Sequence, residues 1–362
     1  NWLVKPTDAN TLVDGLWSGT VARGDEGAIR IGGLTVNEII EQVGTPAYVI
    51  DEVDFRGRAL TWREAFEDWK VYYASKSFLC STVARWIHDA GLNLDVASMG
   101  ELTVALRAGF DPARIGLHGN NKSDALLRVA LTQGVGRIVV DSPDEIARLE
   151  RLTAELGVRA AVQIRVTTGV EAHTHEYIAT AHEDQKFGFS IAGGQALVAL
   201  VRCFGSPNLD LRGIHSHIGS QIFDTNGFEG AARRTLPELN LGGGFGIAYT
   251  IDDSPARAQD LARGLDEIIE HECRAFGLDK PILSVEPGRS ISGPAGTALY
   301  TVGTTKNVEL GGGQQRRYVS VDGGMSDNIR PALYAAEYSA VLANRVSPES
   351  PVLSRVVGLH CE

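Results

Sequence analysis

The sequence has no apolar run of about 18 residues, the length a helix needs to span a bilayer, and its first residues, Asn1-Trp2-Leu3-Val4-Lys5-Pro6, lack a signal peptide's apolar core. It also lacks a stripe of Lys and Arg. With a net charge of −11 it offers no electrostatic footprint for nucleic acid or an anionic membrane. Cysteine is scarce: Cys80, Cys203, Cys273 and Cys361 stand far apart with no Cys-x-x-Cys pair, which fits reduced thiols in a cytoplasmic protein better than a zinc site or a disulfide framework. Internal repeats and low-complexity tracts are missing too. What is abundant is glycine, 41 of 362 residues, placed at the ends of apolar runs; such glycines read as turns and as places where backbone approaches a ligand.

Strand-like runs recur at 71–77, 92–97, 115–119, 137–141, 160–166, 211–217, 239–241 and 282–285. Helical patterns lie between most of them, including 82–90, 99–108, 123–133 and 143–156, the last opened by Ser142 as N-cap and Pro143 at the first helical position. Alternation of this kind predicts parallel βα units, and eight strands fit a closed barrel better than an open doubly wound sheet. After Glu286 the helices stop. Residues 298–303 and 317–321 read as antiparallel strands separated by the turn Gly311-Gly312-Gly313-Gln314-Gln315, and residues 28–31 and 34–36 as a strand pair turning at Gly32-Gly33. The expected fold is α/β, a (β/α)8 TIM-like barrel over 46–289, with a strand at 46–51 and a helix at 52–69 ahead of the first barrel strand. A second, mostly antiparallel β domain is expected from 1–45 plus 290–362.

Barrel active sites lie at the carboxyl ends of the strands. Polar residues gather there in run after run: Lys76, Asp95, His118 with Asn120 and Asn121, Asp141, Arg165, His215 with His217, Gly242 to Gly244, and Glu286 with Arg289. Lys76 closes the apolar run Val71-Tyr72-Tyr73-Ala74-Ser75, and a partly desolvated amine in that position can attack a carbonyl to form a Schiff base. Three donors for an anion sit after strands six, seven and eight: Ser220 in Gly219-Ser220-Gln221, the Gly242-Gly243-Gly244-Phe245-Gly246 loop, and Arg289 in Glu286-Pro287-Gly288-Arg289. A phosphate, a Schiff-base lysine and one carboxylate to keep a ring nitrogen protonated together suggest pyridoxal phosphate. Glu286 is placed to be that carboxylate; His217 could stack on the ring, with His215 as its support. The loop Glu171-Ala172-His173-Thr174-His175-Glu176-Tyr177 has metal-ligand residue types at a spacing that fits no common zinc pattern, so it reads as a lid and no metal site is expected.

Several stretches resemble the diaminopimelate decarboxylase family: Tyr73-Ala74-Ser75-Lys76-Ser77-Phe78, His217-Ile218-Gly219-Ser220-Gln221, Gly242 to Gly246, Glu286 to Arg289, the run Asp322-Gly323-Gly324-Met325-Ser326-Asp327-Asn328-Ile329-Arg330-Pro331-Ala332-Leu333-Tyr334, and His360-Cys361-Glu362. The match runs from about residue 45 to the last residue, and the 326–334 stretch and the 171–177 loop look specific to this branch of the fold-type III pyridoxal-phosphate enzymes. The resemblance implies decarboxylation of meso-2,6-diaminopimelate to L-lysine and CO2 through a Schiff base and quinonoid. It implies that Lys76 holds the cofactor, His217 stacks on its ring and Glu286 pairs with its nitrogen. Ser220, Gly242, Gly243, Gly244 and Arg289 would receive the phosphate, with Asp95, His118 and Gly288 in the cofactor site. Arg289, Arg330, Tyr334 and Glu362 would bind substrate, and Cys361 would return a proton to the carbanion. Cys361 and Glu362 would be lent across a homodimer interface. Ornithine- or arginine-type decarboxylation, alanine-type racemisation and cofactor carriage without catalysis are the competing expectations. Against the family pattern, the segment between Ser220 and Gly242 is short and the β domain is expected to be incomplete after Glu362.

Overall fold

The computed structural model describes Asp8 and residues 10–167, 186–217 and 237–361. The chain forms two compact units, one of Arg56–Gly246 with Pro255–Gly293, the other of Asn1–Phe55 with Ile247–Ser254 and Pro294–Glu362.

The first unit is a closed parallel barrel. Its strands are β1 (Lys70–Ala74), β2 (Asn93–Val96), β3 (Ile115–Leu117), β4 (Arg137–Val140), β5 (Ala160–Thr167), β6 (Leu209–Ser216), β7 (Glu238–Asn240) and β8 (Ile282–Val285). Each pairs in parallel with the next, and β8 pairs with β1 to close the ring. All eight expected strands are present, β7 shifted by one residue; most rest on short apolar runs buried on both faces, while β7 is Glu238-Leu239-Asn240 with both polar residues buried. A short extra strand, Phe189–Ser190, extends the sheet alongside the end of β5. The helix Pro143–Leu156 starts as expected: Ser142 accepts the Glu145 N–H, and Pro143 occupies the first turn, where no backbone donor is needed.

Glycines fix two close strand contacts. A Cβ at Gly213 on β6 would lie 1.9 Å from the Glu238 carbonyl oxygen, and one at Gly116 on β3 would lie 2.8 Å from Asp95 Oδ1. Any larger residue at 116 would evict the Asp95 carboxylate.

Inside the amino-terminal end of the barrel, Glu238 of β7 collects Arg137 of β4, Lys70 of β1 at 2.7 Å and Gln163 of β5 at 3.0 Å. Four strands that are not all neighbours are thus tied through one carboxylate across the interior. Arg137 and Lys70 hold Glu238 down at about 2 against the upward push of its burial.

The second unit holds three small sheets. Ala22–Arg23, Ile29–Ile31 and Leu34–Thr35 form an antiparallel meander. Val36, expected to end the last of these strands, instead opens the helix Val36–Val43, because Thr35 and Glu38 form a capping box. Ile29, Ile31, Val36 and Leu299 make this unit's core cluster. The strand Ala47–Ile50, expected ahead of the barrel's first strand, pairs antiparallel with Gly296–Leu299 and belongs to this unit. The single strand expected at 298–303 is in fact two: Gly296–Leu299, and Val302–Gly311, which forms a long hairpin with Gln314–Val321. Gly312 and Gly313 make its two-residue turn, both with positive φ as such tight turns require. Ser354–Val357 adds to the hairpin in parallel, so the unit is mostly antiparallel. Among the described residues no helix is long and apolar enough to cross a membrane.

Candidate active site

The carboxyl ends of the barrel strands bring most of the expected residues together. Lys76 sits in a single 3-10 turn, Ser75–Ser77, directly after β1, with Ser75 buried and Lys76 exposed. The turn is seated on the segment after β8: the Ala74 N–H donates to the Pro287 carbonyl at 3.1 Å, and a Cβ at Gly288 would press on Ala74 Cβ at 3.0 Å and Ser77 Cβ at 3.3 Å. Gly288 therefore lets the Glu286–Arg289 segment lie against the base of the Lys76 turn.

Glu286 is the centre of the site. His215 Nε2 lies 2.9 Å from its Oε1, out of line for a hydrogen bond, and His118 Nε2 lies 3.6 Å from the same oxygen. His118 Nε2 is also 3.1 Å from Asp95 Oδ1, and the two imidazoles meet edge to face, 5.0 Å between centroids. Burial pushes His118 and His215 down to about 4, so both are neutral at pH 7. Burial raises Glu286, but the imidazoles of His215 and His118 take up protons first as pH falls, and their charge holds the carboxylate well below its usual range. Burial and the Glu286 charge push Asp95 well above it. Glu286 is thus the carboxylate that the cluster keeps ionised, and its buried Oε1 accepts no hydrogen bond from the protein.

The loop after β7 closes over the same side. Gly242 has φ 71° and donates its N–H to Asn240 Oδ1 at 2.8 Å, while its carbonyl accepts from the Glu286 N–H at 2.8 Å. A Cβ at Gly243 would lie 2.2 Å from the Glu286 carbonyl oxygen, and Gly244 has φ 98°. The Gly243 N–H donates to His217 Nδ1 at 3.1 Å; that nitrogen is an acceptor, so a neutral His217 carries its proton on Nε2. Burial, then the Lys76 and Arg165 cations, push His217 well below the ordinary histidine range. Arg165 reaches this field from β5, its guanidinium 4.3 Å above the Phe187 ring and 3.8 Å from Asp141.

Lys76, Asp95, His118, Arg165, His215, His217, Gly242 to Gly244 and Glu286 therefore share one end of the barrel. Asn120 and Asn121 are exposed. Arg330 and Tyr334 lie in the second unit on the helix Arg330–Tyr334, the guanidinium 5.2 Å over the ring, and Cys361 is an exposed free thiol of the same unit. Ser220, Glu362, the 171–177 loop and nearly all of the shortened segment before Gly242 lie outside the described residues. Sequence reasoning missed Lys122, whose Nζ is buried on Glu145 at 2.7 Å and on the Gly119 and Val139 carbonyls at 2.6 and 2.7 Å, stapling the loop that follows His118. Its position just before a helix N-cap, Ser123, reads as an ordinary surface lysine. His118, His215 and Glu286 also have the residue types of a metal site, their ligand atoms within 4.8 Å of one another.

A barrel carrying a lysine after its first strand, a histidine-ringed carboxylate after its eighth and a glycine loop after its seventh has the parts of a pyridoxal enzyme. The profile of the pyridoxal-dependent decarboxylases, pyridoxal binding domain, matches residues 52–293. The diaminopimelate decarboxylase of Mycobacterium tuberculosis is 50% identical over 370 residues, covering 97% of this chain and 83% of its own; that of Bacillus subtilis is 44% identical, covering 95% and 82%. The crystal structure of diaminopimelate decarboxylase from M. jannaschii in co-complex with L-lysine superposes with a TM-score of 0.85 at 29% identity, covering 95% of this chain and 82% of that one. The chain belongs to the diaminopimelate decarboxylase family of pyridoxal-dependent decarboxylases.

Proposed function

We propose that this protein is a carboxy-lyase that converts meso-2,6-diaminopimelate to L-lysine and CO2, the last step of lysine biosynthesis, with pyridoxal 5'-phosphate as cofactor. The observation that carries the reading is the site around Glu286 in a chain 50% identical to a curated diaminopimelate decarboxylase.

The residues fit the cofactor. Glu286 Oε1 is a buried, ionised acceptor with no hydrogen bond of its own, which is what a protonated ring nitrogen needs. Backbone at Gly243 and Gly288 comes so close to its neighbours that no side chain could intrude. When bound, the pyridoxal ring supplies an electron sink for the bond to the departing carboxylate. Lys76 would hold the cofactor through its amine and yield it to the substrate amine. Glu286 would keep a proton on the ring nitrogen of the bound cofactor, because giving up that proton would leave a buried carboxylate charge without a hydrogen-bond donor. His217 would stack on the ring, its orientation fixed by the Gly243 N–H. His215 supports Glu286, and His118, hydrogen-bonded to Asp95, flanks it on the other side. Ser220, Gly242 to Gly244, Gly288 and Arg289 would hold the phosphate. Arg289, Arg330, Tyr334 and Glu362 would bind substrate, and Cys361 would return a proton to the carbon that lost CO2.

A homodimer in which Cys361 and Glu362 complete the partner's site, working in the cytoplasm, is the assembly this reading requires; all four cysteines are free thiols. The test is turnover by the purified protein with pyridoxal phosphate added. Release of CO2 from meso-diaminopimelate, with L-lysine as product and little turnover of ornithine or arginine, is expected. Preference for ornithine or arginine would overturn the substrate assignment.

A further inference from the structure

We propose that Ser326 and His360 form a clasp that positions Cys361, so that the thiol delivers its proton to one face of the substrate carbon; this rests on the reading of Cys361 as the proton donor. The two stretches concerned, the turn 323–328 and the segment 357–361, lie in the same unit and fit together without room for side chains between their backbones. A Cβ at Gly358 would lie 2.6 Å from Gly324 Cα, and one at Gly324 would lie 2.7 Å from His360 Cδ2. The Leu359 N–H donates to the Gly323 carbonyl at 2.9 Å. The two backbones are thus in contact immediately before His360.

The side chains then complete the joint. Ser326 Oγ lies 2.8 Å from His360 Nε2, and the Ser326 N–H points to the same nitrogen at 3.4 Å. A backbone N–H can only donate, so Nε2 is the acceptor, the hydroxyl donates to it as well, and the neutral ring keeps its proton on Nδ1. The turn that presents Ser326 is itself ordered by Asp327, whose carboxylate takes the Gly324 N–H at 2.9 Å and the Tyr300 hydroxyl at 3.2 Å. Ser326 and His360 are both exposed, so the bond adds little to the stability of the unit. What it does fix is the residue next to Cys361. One peptide link separates the clamped imidazole from the thiol-bearing residue, and Cα atoms across such a link stay about 3.8 Å apart.

In the step concerned, the Cys361 S–H bond breaks and a C–H bond forms at the carbon that lost CO2. The thiolate left behind regains its proton from solvent. A held thiol makes the new C–H bond on one face; a thiol free to swing gives solvent time to compete.

The experiment uses the full chain with pyridoxal phosphate bound, turning over meso-diaminopimelate in D2O. Ser326→Ala and His360→Ala are expected to lower kcat at least tenfold with KM within twofold and to raise the solvent isotope effect on kcat. They should also spread deuterium over both prochiral positions of the new methylene, whereas the parent labels one. Ser326→Thr and His360→Gln, which keep a hydroxyl and an acceptor at the ε position, are expected to restore one-faced labelling. Ser326→Cys serves the same comparison should the alanine variant not fold. Parental kcat and one-faced labelling in both alanine variants, with Cys361→Ala impaired, would overturn the clasp alone. Parental kcat and labelling in Cys361→Ala would overturn the clasp together with the assignment of Cys361.

Discussion

Replacing Lys122 by Met tests whether the loop carrying His118 is held by a buried charge. The substitution keeps most of the side chain's volume at a position only 1% exposed, so packing is nearly conserved and the change is electrostatic. It strips three partners at once: Glu145 at 2.7 Å and the Gly119 and Val139 carbonyls. Breaking a buried ion pair by removing one partner costs about 3–5 kcal/mol. At about 2–4 °C per kcal/mol for a domain of this size, the thermal midpoint of the barrel should fall by roughly 6–20 °C. The loss should depend on pH. Burial already raises the Glu145 carboxyl above its ordinary value with Lys122 present, and removing the cation raises it further. In the variant the folded state then binds a proton more readily than the unfolded chain, so its stability declines as pH rises from the ordinary carboxyl range toward neutrality. Thermal melts at pH 5 and pH 8 should show the larger deficit at pH 8, and Lys122→Met with Glu145→Gln should recover most of it. A deficit under about 1 kcal/mol at pH 8, or one that is larger at pH 5, would refute the reasoning.

Other substitutions probe other parts of the account. Glu286→Gln removes the charge but not the shape; a charge-assisted hydrogen bond is worth about 1.5–3 kcal/mol, so kcat/KM should fall by roughly 10- to 150-fold, measured as CO2 release. Glu238→Gln weakens the barrel's interior tie to Arg137 and Lys70. Because those cations hold Glu238 down at about 2, its stabilisation is complete above the unfolded carboxyl value and is lost as pH falls toward 2. Urea unfolding should therefore show the largest gap between parent and variant at neutral pH, narrowing through the acid range; a gap that does not change with pH would contradict this.

Most of the barrel was legible because its strands, sealed on both faces, leave short apolar runs, and its site residues follow those runs. Even Asp95, inside the strand Asn93-Leu94-Asp95-Val96, could be read from its place at the run's carboxyl end. What could not be read were relations between distant residues. The strand Ala47–Ile50 announces itself as a strand, but nothing local shows that its partner is Gly296–Leu299 and not the barrel. Glu238, Arg137 and Lys70 look like polar punctuation at strand starts and Gln163 like a polar break inside one, and only closure of the ring makes them one network. Gly116 reads as a flexible residue; its role is to leave space for a carboxylate from the neighbouring strand. Val36 misled because its β-branched side chain favours a strand, while the capping box beside it starts a helix.

The central claim is that Lys76 holds pyridoxal phosphate beside Glu286 for decarboxylation of meso-diaminopimelate. The most direct measurement compares the parent with Lys76→Ala, both given pyridoxal phosphate, by near-ultraviolet absorbance after borohydride treatment and gel filtration and by CO2 release. The parent should retain the reduced cofactor covalently and release CO2 when untreated, and Lys76→Ala should do neither. Cofactor retained on the variant, or CO2 release at the parental rate without Lys76, would contradict the claim.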